Sequence, residues 1–354
     1  MTFNNFKPEV SDPDGIKVEE ILKTNIKTRL RHEKSICISL SGGVDSSLLL
    51  ALIRDCFPEK KIVALTVRGN VDETERANDI AEQFNAEHII LEFPNLLKQI
   101  PIMVSLVDEP RWNVYPYFTR LTSKQYGDII VNGDGADELF AGYIFRYKQF
   151  QDFLDNDYSK VDAYLYTHRN DWIDEQEEIF GENVNFSWQD IKNNLEVYFD
   201  NELDPISQIL LADYNGKYLY DYIPTNKSID TKLNVDSFYP FTDNKLTNLA
   251  THLPIDEKFV DGVGKLPLRK IAERHNLILN KEKLGFSLDI QSCFLNHIDS
   301  VNELLSNRNL KIYKDGLINY EWVQKYLNVN IHDTRIINKL FQILALHYKL
   351  ESKY

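Results

Sequence analysis

Leu40-Ser41-Gly42-Gly43-Val44-Asp45-Ser46-Ser47 stands where a short apolar run, Ile36-Cys37-Ile38-Ser39-Leu40, gives way to a helical pattern over 46–57. In that pattern Leu48, Leu49, Leu52 and Ile53 share one face. Gly42 and Gly43 let backbone N–H groups approach an anion with no Cβ in the way. The helix that follows aims its positive end at the same place, and Ser41, Ser46 and Ser47 add hydroxyl donors. Asp45 is out of place beside an anion unless it holds a divalent cation that the anion shares. The stretch is not a Walker loop, because the Gly-Lys-Ser/Thr ending is missing. A bare Gly-Gly would read as a turn before a helix; the whole string after a buried strand reads as a phosphate site.

Outward from this loop, strand-like and helix-like segments alternate. Residues 62–67 form a second apolar run, 73–84 a helix with Ala77, Ile80, Ala81 and Phe84 at helical spacing, His88-Ile89-Ile90-Leu91 a third strand, and Asp128-Ile129-Ile130-Val131-Asn132 a fourth. Strands separated by helices predict right-handed crossovers and a parallel sheet, and continuous apolar strands predict cover on both faces. The fold class expected is therefore α/β, a parallel twisted sheet flanked by helices. From about Tyr143 the strand pattern stops and long helical stretches rich in Asp, Glu, Lys, Tyr and Phe take over. The expected division is 1–150, an α/β core with a short N-terminal helix, and 151–354, a mainly helical part packed on it.

A second string, Val131-Asn132-Gly133-Asp134-Gly135-Ala136-Asp137-Glu138-Leu139-Phe140-Ala141-Gly142-Tyr143, again follows a strand and opens a helix. Three acids beside two glycines are costly to hold together unless a cation or a proton relieves them. Ligands in parallel sheets bind at the carboxyl ends of the strands, so Asp45 and Asp137 are expected to meet at one cation, Mg2+. An acidic helix start stabilised by the dipole is the alternative.

Bulk properties narrow the classes. The net charge of -14 gives no basic face for nucleic acid. No apolar run is long enough to span a bilayer, and 1–10 has no signal-peptide core. Three scattered cysteines, Cys37, Cys56 and Cys293, form neither a CxxC pair nor a zinc set. A cytoplasmic protein is the expectation.

Together the two strings resemble those of the asparagine synthetase family, within the PP-loop ATP pyrophosphatases. Four further segments support the resemblance: Asp108-Glu109-Pro110, Pro240-Phe241-Thr242-Asp243, Lys265-Leu266-Pro267-Leu268-Arg269, and the run from Ile278 to Phe286 that contains Lys281 and Lys283. The resemblance implies an ATP-dependent ligase that adenylates a carboxylate, releases pyrophosphate and passes the acyl group to ammonia or an amine. Leu40 and Val67, with Asn132 and Gly133, would line the adenosine site. Ser41, Gly42, Gly43, Asp45, Ser46 and Ser47 would hold the phosphates, Asp45 and Asp137 the magnesium. Lys283 would stabilise charge in both half-reactions. Asp134 would accept a proton from the attacking nitrogen, where lactam-forming relatives carry a tyrosine.

The chain also departs from the family. Position 2 is Thr2, not the nucleophilic cysteine of a glutaminase, and only about forty residues precede the phosphate loop. The expectation is that no glutaminase is present, so either a separate glutaminase subunit supplies ammonia or another amine is the acceptor. The family's acidic-x-Arg step appears as Asp236-Ser237-Phe238, and its Asp-Arg-x-Ser-Met stretch as Lys227-Ser228-Ile229-Asp230-Thr231. These changes leave the small-molecule carboxylate open. An intramolecular lactam synthetase, a sulfur-transfer enzyme and a non-catalytic binding subunit remain as alternatives.

Overall fold

A computed structural model describes residues 6–69, 73–278, 288–327, 331 and 333–351. The chain forms two compact units. The first comprises Met1–Glu92, Pro116–Asp157 and Val197–Ser287; the second comprises Phe93–Tyr115, Tyr158–Glu196 and Leu288–Tyr354.

The first unit is built on five parallel strands in the order β3-β2-β1-β4-β5: β1 Ser35–Ser39, β2 Lys61–Val67, β3 Glu87–Leu91, β4 Ile129–Val131 and β5 Ser237–Phe238. Ile36, Cys37 and Ile38 are fully buried, as continuous apolar strands covered on both faces should be. The four strands expected from the apolar runs are present within a residue or so of their ends. β5 was not anticipated: it is two residues long, and neither residue is fully buried. The chain passes from β1 outward to β2 and β3, then returns to place β4 on the other side of β1. That reversal opens a crevice between the carboxyl ends of β1 and β4, the usual ligand position in such sheets.

Helix α1, Ile16–Leu30, buries Val18, Leu22, Ile26 and Leu30, one residue per turn along a single stripe. Helix α2, Val44–Cys56, follows the phosphate-loop string and begins two residues earlier than its apolar periodicity alone suggests. Helix α3, Thr74–Gln83, buries Ala77, Ile80 and Ala81. Further along, Pro205–Ala212, Asp213–Tyr222 and Ile223–Leu233 make one continuous helical run, its middle ten residues wound as a π-helix. Pro at N1 and the Asp204 carboxylate, which accepts from the Ile206 and Ser207 amides, start the run.

In the second unit, helix α4, Leu96–Val107, packs against the C-terminal helix Thr334–Glu351. Trp112 anchors this pair: its ring meets Phe341 edge-on at 5.2 Å and its Nε1 donates to Asn338 Oδ1 at 2.9 Å. Among the described residues no helix is long and apolar enough to cross a membrane.

Candidate active site

The turn after β1 is organised by its own serines. The Ser41 amide donates to Ser46 Oγ at 3.1 Å, the two hydroxyls lie 3.1 Å apart, and the Gly43 amide donates to Ser41 Oγ at 3.3 Å. Gly42 sits at φ 72°, a conformation that strains any residue with a Cβ. Leu40 is buried beneath the loop, and its carbonyl accepts from Thr66 Oγ1 at 2.7 Å. Val67, at the end of β2, is half-buried. Ser47 does not line the loop as a donor in this state: it is fully buried and its Oγ has no hydrogen-bond partner among the described residues.

The turn after β4 closes over the first. A Cβ on Gly133 would come within 3.3 Å of Asp45 Cβ and 3.5 Å of the Ser46 amide nitrogen, so the two loops are in contact. Asn132 is buried; its Oδ1 accepts from Ser39 Oγ at 2.9 Å and its Nδ2 has no partner among the described residues. Gly135, at φ 100°, turns the chain into the short helix α5, Ala136–Phe140. The Tyr218 ring lies so close to Gly135 that an added Cβ would fall 2.5 Å from its Oη.

Asp45 and Asp137 converge on one cation, and that cation is Lys265. Its Nζ lies 2.5 Å from Asp45 Oδ2 and 2.6 Å from Asp137 Oδ1, so these two oxygens are no more than about 5 Å apart. Lys265 is buried, and desolvation alone would lower its pKa. The facing charges of Asp137 and Asp45, with their hydrogen bonds, outweigh this and hold it above the ordinary lysine range. Lys265 belongs to a segment quoted for its family resemblance, but nothing in the sequence distinguished it from a solvated lysine before a helix.

Asp134 points into a second cluster. Its Oδ2 accepts from Asn226 Nδ2 at 2.9 Å and lies 3.7 Å from Arg120 Nη2. Desolvation raises its pKa more than Arg120 and Asn226 lower it; Asp230 and Asp137 add to the rise. Next along the chain, Glu138 is buried and accepts from Tyr143 Oη at 2.7 Å. Desolvation and the charge of Asp137 push its carboxyl up to about 7.

Arg120, on a helix spanning Pro116–Ser123, is fully buried. It donates from Nη2 to Asn226 Oδ1 at 2.9 Å and lies 3.4 Å from Asp230 Oδ1 through Nε. Asp230 in turn accepts from Ser237 Oγ at 2.8 Å and Tyr239 Oη at 2.7 Å. Lys283, and Lys281 beside it, lie outside the described residues.

Cys37 is fully buried and desolvation pushes its thiol up to about 12; the thiols of Cys56 and Cys293 are raised by the same cause. Among the described residues no group of three or more His, Cys, Asp or Glu is arranged to hold a metal; the acidic pair Asp45 and Asp137 would need ligands beyond these two.

Comparison with known proteins identifies the family. The family model for asparagine synthase matches residues 17–348. Asparagine synthetase [glutamine-hydrolyzing] 1 of Bacillus subtilis is 23% identical, over 93% of this chain and 58% of its own length. A putative asparagine synthetase [glutamine-hydrolyzing] of Mycobacterium tuberculosis is 24% identical, over 80% of this chain and 50% of its own. The chain thus spans about half the length of the curated relatives it matches. Among solved structures, an NH3-dependent NAD synthetase from Campylobacter jejuni is similar over 38% of this chain and 61% of its own, at TM-score 0.28 and 18% identity.

Proposed function

Given that this chain belongs to the asparagine synthase family, a family of ATP-dependent amide ligases, we propose that it makes an amide by way of an acyl-adenylate. One observation carries the reading: two loops at the β1/β4 crevice bring Asp45 and Asp137 to a single cation position beside a glycine-serine turn. In the first half-reaction a carboxylate oxygen of the substrate attacks the α-phosphorus of ATP. The bond to the β-phosphate oxygen breaks and pyrophosphate leaves. The Ser41, Gly42 and Gly43 backbone, with the Ser41 and Ser46 hydroxyls, would receive the departing phosphates at the N-terminus of α2. Leu40, Val67, Asn132 and Gly133 would hold the nucleoside beside them.

Magnesium fits the acidic pair in that the pair already accommodates a positive charge in a largely enclosed place. Asp45 and Asp137 would hold it, and it would neutralise charge on the phosphates. Lys265 would then share or yield that position.

In the second half-reaction the nitrogen nucleophile attacks the acyl carbon, the C–O bond to phosphate breaks, and AMP leaves. The nitrogen's proton passes to Asp134, whose raised pKa suits a proton acceptor. The nucleophile is ammonia or a simple amine and the acid a small-molecule carboxylate. The cysteines favour amide formation over sulfur transfer.

The test is pyrophosphate exchange into ATP across a panel of carboxylates, followed by product analysis with ammonium chloride at raised pH. AMP and pyrophosphate are the expected products. ADP and phosphate, or no exchange with any acid, would overturn the proposal.

A further inference from the structure

We infer that Arg120 is a positioning residue for the amide-forming step: through Asn226 it fixes the Asp134 carboxylate toward the nitrogen nucleophile. This rests on the ligase reading of the site, and it concerns a residue that no sequence motif singled out.

The geometry is that of a support and not of a ligand contact. Arg120 is fully buried, whereas the Asp134 side chain keeps 36% of its exposure. The guanidinium therefore acts through its neighbours. Asn226 bridges the two groups, accepting from Arg120 Nη2 and donating to Asp134 Oδ2, both at 2.9 Å. One Asp134 oxygen is thereby tied down; the other accepts no hydrogen bond from the described residues and is the one available to a nucleophile. On its far side Arg120 leans on Asp230 at 3.4 Å, and Ser237 and Tyr239 hold that carboxylate by hydrogen bonds. Arg120 Nη1 has no hydrogen-bond partner among the described residues.

An arginine buried with an unused nitrogen is expensive for stability alone. Replacing the whole set by apolar side chains would be the cheaper way to fill the space. Its retention is explained if the guanidinium orders an acid that has work to do. The location reinforces this: Asp230 and Ser237 lie in the two segments where the chain departs from the family pattern, and Tyr239 follows directly. Those departures hold the carboxylate that faces Arg120 and one of the hydroxyls that fix it. The groups around Asp134 are Arg120 from helix Pro116–Ser123, Asn226 and Asp230 from Ile223–Leu233, Tyr218 from the π-helical turns, Tyr239 after β5, and Asp137 on α5.

The experiment separates the two half-reactions in the full chain. Arg120→Gln is expected to keep pyrophosphate exchange within about threefold of wild type, while transfer to ammonium slows about a hundredfold; losing one positioned general base costs on this order. Arg120→Lys should recover part of the transfer rate and none of the exchange difference. Carboxyl-carbon titration, assigned with Asp134→Asn, should show the Asp134 pKa rising by about one unit or more in Arg120→Gln, since a favourable positive neighbour is gone. If circular dichroism shows that Arg120→Gln does not fold, Asn226→Ala, which keeps the buried charge, should show the same split. Equal losses in exchange and transfer, or an unmoved Asp134 titration, would overturn the inference. A wild-type chain with no exchange on any acid would refute the ligase reading instead, and the titration alone would then decide whether Arg120 controls Asp134.

Discussion

Replacing Lys265 by Met keeps the aliphatic stem and deletes the ammonium that joins Asp45 to Asp137. Two carboxylate oxygens no more than about 5 Å apart then face each other without the ammonium between them, in a place where the two side chains are only 18% and 19% exposed. At an effective dielectric near 20, unit charges at that separation repel by about 3 kcal/mol. Breaking a buried ion pair from one side costs about 3–5 kcal/mol, which agrees. Because the chain has two compact units, a single unfolding midpoint is not a sound readout. Amide hydrogen exchange resolved by peptide is better, and the segments to follow are 40–47 and 133–142. In chelator, Lys265→Met should lose protection there by about a hundredfold to a thousandfold, the equivalent of 3–4 kcal/mol. Millimolar Mg2+ should restore the variant and leave wild type little changed, because in wild type the ammonium competes for the same oxygens. A loss under tenfold, or equal protection of both proteins by Mg2+, would refute the view that Lys265 occupies the cation position.

Two more tests address other parts of the chain. Lys283→Ala should abolish amide formation and pyrophosphate exchange by at least about a hundredfold, with the circular dichroism spectrum intact, if its ammonium stabilises developing charge; an active variant would remove it from the site. Glu19 on α1 gives a pH prediction: against the desolvation of its burial, hydrogen bonds from Lys23, His275 and Arg274 hold its carboxyl down at about 2. A carboxyl depressed on folding adds stability above its unfolded pKa, near 4.5, and loses it as pH falls toward 2. Hydrogen-exchange protection of α1 should therefore fall by about 2 kcal/mol in that window, less than the full shift because the ion pairs are partly solvent-screened, and Glu19→Gln should abolish this part of the pH dependence; an unchanged acid profile would count against it.

The strands β1 to β4 were legible because each is a continuous apolar run buried on both sides, a signal local to a few residues. β5 was not, because two residues with a polar Ser237 carry no periodicity; its pairing with β4 is set by tertiary contact. That the turns after β1 and β4 meet, with Asp45 and Asp137 converging, was legible because ligand crevices in parallel sheets lie at the carboxyl ends of strands. Lys265 escaped notice for a physical reason: it is a lysine ahead of a Leu-Pro-Leu helix start, and only the fold carries it to Asp45, 220 positions away in sequence. Arg120 is the same case, since the acids that enclose it come from α5's leading turn and from Ile223–Leu233. The π-helical winding had no sequence signature that periodicity could detect.

That winding bears on how this protein can change. A π-helix advances less per residue than an α-helix, so the ten residues Asp213–Tyr222 set the angular phase between the helix before them and the helix after them. Asn226 lies just beyond, on the later helix, and its bearing toward Asp134 depends on that phase. A one-residue deletion within 213–222 would let the run relax toward α-helical winding and swing Asn226, Tyr218 and Tyr222 to new headings, while both flanking helices kept their sequences. The Asp134 side of the crevice can thus be reshaped by single-codon insertions and deletions, with no substitution at any residue lining it.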